Sequence, residues 1–380
     1  MSARRLAATL ATLATCALTG GPAVAQQELL AVGDSITAGT GDAVPEGQDA
    51  GYPARLRQLV PGLSVLNAGI PGERTFELLS RLDEVLAEGG DALLLMEGTN
   101  DLTRRFPIES VVFNLGEIAD RAEDAGFEVV HATVIPRLPG AKIDGGNLLN
   151  RQLNQRIRDL AGRKNRRLVD SFEVFSRLSN LFDSYYWDNP NDPVGHPNPA
   201  GYDVMAQTFA DVLQDFDRVG PVAGILDPVL GETDVPPDAT IRVDLWDFGA
   251  GIDLAGSFLL IAGEVTPTIP FGNSRGASFV YQPAEPLAGV VTVSVRTRDF
   301  ASPVNQVERD VSRFAVVGSS FRAGDFDASG VVDDIDLIQI SLSFGGRSGD
   351  SRYSATADLN ADGIVDGIDL AILAANYGVR

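Results

Sequence analysis

The pattern that most constrains the fold occupies residues 28–216, where short apolar runs alternate with amphipathic segments. Strand-like runs at 29–32, 65–66, 92–96 and 129–135 each end in turn-forming residues. The segments at 77–88 and 110–125 carry apolar residues at helical spacing. Near-continuous apolar strands that alternate with helices predict a parallel sheet covered on both faces. Ligands of such sheets bind beyond the carboxyl ends of the strands.

Composition narrows the classes of protein that remain. A chain of 380 residues with 44% hydrophobic content predicts two or three domains with real cores. The formal net charge of −22 argues against a nucleic-acid or anionic-membrane partner, because phosphate binding requires clustered Lys and Arg. One cysteine excludes a disulfide framework and a thiolate metal site, and only two histidines are present.

The first 25 residues have the pattern of an export signal. Arg4 and Arg5 precede an apolar run at 6–18, and Ala23 and Ala25 form a small-x-small cleavage site that would leave Gln26 first. A helix of the folded domain and a lipoprotein signal ending at Cys16 are the alternatives. No later apolar stretch is long enough for a membrane anchor. We therefore expect a secreted or cell-surface protein.

A nucleophile is predicted at Ser35, in the turn that follows the first strand. A serine needs a base, and histidine is the usual one. His131 lies inside an apolar run, which favours a core residue with satisfied hydrogen bonds. His196 lies in a loop with Asp192, a carboxylate that could orient the imidazole.

Four segments of this region, at 33–37, 67–75, 98–101 and 192–198, resemble in order the four blocks of SGNH (GDSL-type) hydrolases. The resemblance implies a flavodoxin-like α/β domain over residues 26–218. It implies Ser35 as nucleophile, His196 as base, and an oxyanion hole formed by the amides of Ser35 and Gly72 and the side chain of Asn100. It implies no cofactor for the chemistry.

One position departs from the family pattern. The family places aspartate three residues before the histidine, where this chain has Pro193. Asp192, four residues before it, is our first choice for the third triad member. Asp188 and a backbone carbonyl are the alternatives.

Residues 219–320 have the pattern of a β-sandwich. Short Val-, Thr- and Ser-rich runs at 240–245, 257–261 and 290–296 are divided by Gly, Pro and Asp turns. The opening at 236–238 and the turn at 247–251 resemble bacterial immunoglobulin-like repeats, which implies a spacer. Ser274 stands in a G-x-S-x-G match that lacks a later histidine, so we interpret it as a loop residue.

Residues 325–345 align without gaps on 358–378, with nine of 21 positions identical. Each copy has oxygen-bearing residues at the spacing of an EF-hand calcium loop. The candidate ligands of the first loop are Asp325, Asp327, Ser329, the Val331 carbonyl, Asp333 and Asp336. Those of the second loop are Asp358, Asn360, Asp362, the Ile364 carbonyl, Asp366 and Asp369.

Position 12 is aspartate rather than glutamate, and one apolar helical stretch follows each loop. This duplication resembles a type I dockerin over residues 322–380. The resemblance implies a small α-helical module that holds two structural Ca²⁺ ions in paired EF-hand-like loops and docks onto a cohesin. Positions 334–335 and 367–368 are where partner choice is expected. A module that only binds calcium, or that self-associates, is the alternative.

Together these features predict a multidomain, secreted serine esterase. Dockerins accompany enzymes that act on polysaccharides, which favours acetyl esters on decorated glycans. The alternatives are an esterase or thioesterase for lipids or small molecules, and a catalytically weak cell-surface binding protein.

Overall fold

The computed structural model describes residues 27–137, 146–189, 191–192, 195–317, 324–326, 332–347, 352–354, 356–359 and 363–378. The predicted export signal lies outside these residues. Among them, we find no helix with the length and apolar character needed to cross a bilayer.

The N-terminal half contains a parallel sheet whose strands follow the predicted apolar runs. Five strands are hydrogen-bonded in the order β2-β1-β3-β4-β5. They span Gln27–Gly33 (β1), Leu63–Asn67 (β2), Ala92–Met96 (β3), Glu128–Ala132 (β4) and Arg167–Val169 (β5).

Nine helices of the described residues connect and cover these strands. They span Ser35–Ala38 (α1), Gly51–Leu59 (α2), Thr75–Leu86 (α3), Thr99–Thr103 (α4), Ile108–Asp124 (α5), Gly146–Arg163 (α6), Ser171–Ser176 (α7), Leu181–Tyr185 (α8) and Pro199–Leu213 (α9).

Alternation along β1 places apolar side chains on both faces of the sheet. Leu29 and Ala31 join a core shared with α2 and α9, whereas Leu30 and Val32 join a core shared with α3, α5 and α6. Because β2 and β3 lie on opposite sides of β1, the chain reverses direction across the sheet there. A crevice forms beyond the strand ends at such a reversal.

The middle of the chain forms two antiparallel sheets, in the orders β10-β11-β7-β6 and β13-β12-β8-β9. A single apolar cluster joins them through residues such as Val243, Leu259 and Val293. Their strands span Val222–Asp227 (β6), Ile241–Trp246 (β7), Phe258–Ile261 (β8), Glu264–Val265 (β9), Phe271–Gly272 (β10), Gly276–Tyr281 (β11), Val290–Arg298 (β12) and Gln306–Ala315 (β13). The immunoglobulin-like assignment and the domain boundaries stay predictions.

Ser274 lies in the hairpin turn between β10 and β11. A strand, and not a helix, follows it. This placement agrees with the interpretation of its G-x-S-x-G match as a loop.

The C-terminal residues form a small unit with two helices, Asp334–Ser343 (α10) and Gly367–Asn376 (α11). Both begin three residues before the predicted apolar stretches, which start at Leu337 and Leu370. Asp333 and Asp366 cap them by accepting hydrogen bonds from the amides of Ile335 and Ile368. A small apolar core packs the two halves together: Val332, Ile340, Ala357, Val365 and Leu373.

Candidate active site

The tertiary structure brings Ser35 and His196 together although 161 positions separate them. Ser35 Oγ lies 2.7 Å from His196 Nε2. Ser35 begins α1 directly after β1, and both side chains are buried. The distance is that of a hydrogen bond, so Nε2 is in place to take the hydroxyl proton.

His196 is held by the loop that leads into α9. Its carbonyl accepts a hydrogen bond from the Trp187 amide at 2.8 Å. Two residues later, Asn198 caps α9 by accepting from the Gly201 amide at 3.0 Å. This local framework fixes the imidazole relative to the end of the sheet.

Asp192 contacts His196 in two ways. Its Oδ1 lies 2.9 Å from Nδ1, although the angle is too bent for a hydrogen bond in this conformation. Its two oxygens also accept from the backbone amides of Gly195 at 3.1 Å and His196 at 2.6 Å. These two backbone hydrogen bonds hold the loop in a turn. The turn places the carboxylate of Asp192, four residues before His196, beside the imidazole ring. Asp188, the alternative, is exposed.

The other predicted donors lie at the same edge of the sheet. Gly72 has a φ of 80°, a conformation that favours glycine, and a Cβ there would meet only open space. Asn100 lies in α4, but its Nδ2 donates to the Glu73 carbonyl at 2.9 Å and contacts Asp34 Oδ2 at 3.3 Å. To donate to a substrate oxygen, Asn100 Nδ2 would have to give up its 3.3 Å contact with Asp34 Oδ2.

The sequence analysis missed three buried titratable residues near the nucleophile. Asp34 caps α1 by accepting from the Ile36 amide at 2.9 Å, and burial raises its pKa to about 6. Burial, with the Asp34 charge adding to it, raises the pKa of Glu97 well above its usual range. Burial lowers the pKa of Arg137 to about 10, which the charge of Asp34 opposes. The sequence carried one sign of these residues, because Glu97 stands at the end of an apolar run, directly before Gly98.

His131, in β4, is buried as predicted. Burial lowers its pKa to about 3, so it is neutral at physiological pH. Its Nε2 has no hydrogen-bond partner among the described residues, so the prediction of a fully satisfied core histidine was wrong in that respect.

The described ligand candidates of the C-terminal repeats occupy matching places. Asp325, Asp336, Asp358 and Asp369, at positions 1 and 12 of the two loops, are all buried. In the first loop, Asp336 accepts from the amides of Phe326 and Asp333 at 2.5 and 2.9 Å. Asp369 accepts in the same way at 2.7 and 2.8 Å from the residues that correspond in the second loop.

Buried carboxylates at these positions fit a hard divalent cation, which prefers oxygen ligands. Asp333, Asp366 and Ile364 are also described. The remaining predicted ligands lie outside the described residues: Asp327, Ser329, Val331, Asn360 and Asp362.

Comparison with known proteins agrees with both parts of this description. Residues 31–204 match the GDSL-like Lipase/Acylhydrolase family, and residues 323–376 match the Dockerin type I domain. The chain therefore contains a domain of an ester-hydrolase family and a type I dockerin domain. The antiparallel sheets lie between the two matched segments.

Two relatives each align with 107 residues of this chain, 28% of its length. An arylesterase of Vibrio mimicus is 32% identical over 54% of its length, and the esterase TesA of Pseudomonas aeruginosa is 36% identical over 53% of its length. The chain thus spans about half the length of these relatives.

Similar solved structures cover about half of this chain. A member of the lipolytic G-D-S-L family from Veillonella parvula has a TM-score of 0.41, 21% identity and coverage of 50% of this chain and 99% of its own. An acetylxylan esterase from Geobacillus stearothermophilus has a TM-score of 0.42, 24% identity and coverage of 50% and 94%.

Proposed function

We propose that this protein is a serine esterase that hydrolyses carboxylic esters through an acyl-enzyme. The observation that carries the proposal is the 2.7 Å contact between Ser35 Oγ and His196 Nε2 at the end of β1. Membership of residues 31–204 in an ester-hydrolase family supports the same reaction class.

In the proposed mechanism Ser35 Oγ attacks the ester carbonyl while His196 Nε2 takes its proton. The amides of Ser35 and Gly72 and the Asn100 side chain stabilise the oxyanion, and loss of one such donor typically costs about 3 kcal/mol. Collapse of the intermediate releases the alcohol, which receives the proton from Nε2. Water then attacks the acyl-enzyme with His196 as base, releasing the acid and restoring Ser35.

Asp192 is proposed as the positioning residue of this site. Its contacts with the Gly195 and His196 amides fix the loop, and its 2.9 Å approach to Nδ1 stabilises the imidazolium that forms. The bent angle is compatible with this role, because catalytic hydrogen bonds often tighten only when substrate binds.

The proposed substrate is an acetyl ester on a polysaccharide. Ser35 and His196 are each 7% exposed, and this limited access to the nucleophile favours a small acyl group. A cavity of about 690 Å³ has Arg177, Val212 and Ala250 in its wall, but neither Ser35 nor His196. The dockerin domain favours a polysaccharide as the carrier of the ester.

A lipid or small-molecule ester is the second candidate, because apolar side chains are exposed close to the site. Trp187 is 38% exposed and adjoins His196 through its amide. Ile70 is 43% exposed, and its amide donates to the carbonyl of Gly33 at 2.9 Å, two residues before Ser35. Such a rim would also suit an acyl chain.

Acid release from acetylated xylan, p-nitrophenyl acetate and p-nitrophenyl palmitate separates these substrates. We expect residues 26–380 to cleave both acetyl esters and the Ser35→Ala variant to cleave neither. Cleavage of p-nitrophenyl acetate alone would remove the polysaccharide assignment and keep the mechanism. Preference for the palmitate would favour the lipid candidate. Activity that persists in Ser35→Ala would overturn the proposal.

Cohesin binding and export complete the proposal. The dockerin domain is proposed to bind a cohesin only with Ca²⁺, so capture by an immobilised cohesin panel should disappear with EDTA. Capture that EDTA leaves unchanged would exclude calcium-dependent docking. Residues 1–25 are proposed to direct export, and N-terminal sequencing of the exported protein should begin at Gln26.

A further inference from the structure

Three carboxylates meet where the linker after α9 reaches the antiparallel sheets. Asp217 lies in that linker, Asp247 directly follows β7, and Asp299 directly follows β12. One oxygen of each lies within 4.8 Å of an oxygen of the other two. Asp247 and Asp299 are buried and Asp217 is half-buried. We call these three residues the junction cluster.

Asp247 leaves one buried oxygen without a partner. Its Oδ1 accepts hydrogen bonds from the amides of Gly249 and Gly251, both at 2.9 Å. Its Oδ2 is buried and has no hydrogen-bond partner among the described residues. An ionised oxygen in such a place is costly unless a cation compensates it.

Backbone amides and the Asn305 side chain hold the other two carboxylates in the cluster. Asn305 Nδ2 donates to Asp299 Oδ2 at 2.7 Å and to Asp217 Oδ1 at 3.4 Å. Asp217 Oδ2 accepts from the Ala250 amide at 2.6 Å. Asp299 Oδ1 accepts from the amides of Ala301 and Asn305 at 3.0 and 2.9 Å. The arrangement of like charges is therefore built into the turns that carry them.

Two neighbouring arginines have contacts outside the cluster. Arg218 forms an ion pair with Asp211 at 2.7 Å. Arg275 donates to the Arg166 carbonyl at 3.0 Å, and burial lowers its pKa, which the Asp247 charge opposes. Within the described part of the chain, neither arginine forms an ion pair with the junction cluster. Burial, with the charges of its two neighbours adding to it, raises the pKa of Asp247 to about 6.

We propose that the junction cluster binds one Ca²⁺ ion. Ca²⁺ takes oxygen ligands at about 2.3–2.6 Å, so two oxygens on the same ion lie at most about 5 Å apart. The cluster meets this limit, and its all-oxygen donor set suits a hard cation. Water completes the coordination, because Asp217 also borders the 690 Å³ cavity. The ion fastens the linker to the turns after β7 and β12.

Calcium counting tests the proposal on the full chain. Ca²⁺ bound per molecule is measured by equilibrium dialysis after chelator treatment, for wild type, Asp247→Asn and Asp215→Asn. Asp215 is the matched control, because it lies in the same linker and its side chain is 89% exposed. We expect Asp247→Asn to bind one Ca²⁺ fewer than wild type and Asp215→Asn to bind the same number. Equal numbers for wild type and Asp247→Asn would overturn the site.

Terbium luminescence gives a local readout that distinguishes this site from the dockerin loops. Trp246 directly precedes Asp247, and the chain has only two tryptophans. Excitation where tryptophan absorbs and tyrosine does not should give sensitised Tb³⁺ emission in wild type and Asp215→Asn. We expect this emission to be lost in Asp247→Asn. Emission that persists in Asp247→Asn would contradict the proposal.

The melting temperature in EDTA distinguishes a variant that has lost only the ion from one whose fold is weakened. In Asp247→Asn the Oδ1 contacts with Gly249 and Gly251 are retained, and the new amide can donate to Asp217 or Asp299. We therefore expect the variant to melt in EDTA at or above the temperature of wild type in EDTA. A variant that melts lower than wild type in EDTA would show that Asp247 acts through its protein contacts, and would overturn the calcium assignment.

Discussion

Trp246 of β7 packs against Gly162 of α6 so closely that a Cβ added to Gly162 would lie 2.2 Å from the indole Cδ2. Gly276 and Gly224 approach the same indole, with added Cβ atoms at 2.4 and 2.8 Å. The parallel-sheet part and the antiparallel part of the chain thus meet through an indole bordered by glycines. Only glycine fits against the indole at these positions, so a larger residue there should destabilise the contact between the two parts.

Gly162→Ala should weaken the contact between α6 and β7. Overpacking of this kind typically costs about 1–3 kcal/mol, more than the helix gains from alanine. Gly116→Ala is the control, because Gly116 lies within α5 and its added Cβ would meet nothing nearer than 3.9 Å. We expect Gly162→Ala to lower the melting temperature and Gly116→Ala to raise it slightly. Equal shifts in the two variants would contradict the packing argument.

Asp192→Asn should reduce kcat by about 10²- to 10⁴-fold, as expected when a histidine loses its orienting carboxylate. The amide cannot serve both His196 Nδ1–H and the two backbone amides that the carboxylate now accepts. Asp188→Asn is the matched control, because Asp188 is exposed in the same loop. Rates of p-nitrophenyl acetate hydrolysis measure both. Near wild-type turnover in Asp192→Asn would remove Asp192 from the site.

Asp34 should make stability fall as pH rises. Its folded pKa of about 6 is above the usual 3.8, so the folded state binds this proton more tightly than the unfolded state. The loss of folding stability caused by ionising Asp34 is absent below about pH 4 and grows between about pH 4 and 6. Above that range it is complete, at about 3 kcal/mol.

Asp34→Asn removes that penalty and keeps the oxygen that accepts from the Ile36 amide. Denaturant unfolding of the two proteins should therefore give similar stabilities at pH 4 and a more stable variant at pH 8. A stability difference independent of pH would show that Asp34 is not the group responsible.

Chelation should destabilise the C-terminal repeats and leave the proposed ester hydrolysis unchanged. Without a cation, the buried carboxylates at positions 1 and 12 of each loop lose the ion that would offset their mutual repulsion, as between Asp358 and Asp369. We expect EDTA to expose residues 324–378 to proteolysis while Ser35-dependent hydrolysis continues. EDTA saturated with Ca²⁺ beforehand is the control. Unchanged proteolysis would contradict the calcium assignment, and lost hydrolysis would tie the cation to the active site.

The sequence predicted the parallel sheet well because its signal is local. The apolar run at 92–96 coincides with β3, and all of its residues are buried. Helix boundaries moved by one to three residues where capping decided them, as at Asp333 and Asp366. Capping depends on a few hydrogen bonds and leaves little trace in hydrophobic periodicity.

The sequence also named the residues of the candidate site, whose roles stay predictions, but it did not reveal all of their contacts. Spacing left the third triad member open, because a four-residue separation does not reveal where a loop turns. The fold places Asp192 beside His196 and leaves Asp188 exposed. The engagement of the Asn100 amide by Glu73 and Asp34 was invisible, since those atoms come from separate strand ends.

The sequence by itself determined the order of the elements, the serine and histidine of the candidate site, and the duplicated acidic loops. Each depends on residues that are neighbours in the chain. Only the tertiary structure decided the rest: the buried titratable groups near Ser35, the indole between glycines, and the junction cluster. Asp217, Asp247 and Asp299 show the reason, because residues 82 positions apart become partners only after two sheets and a linker have packed.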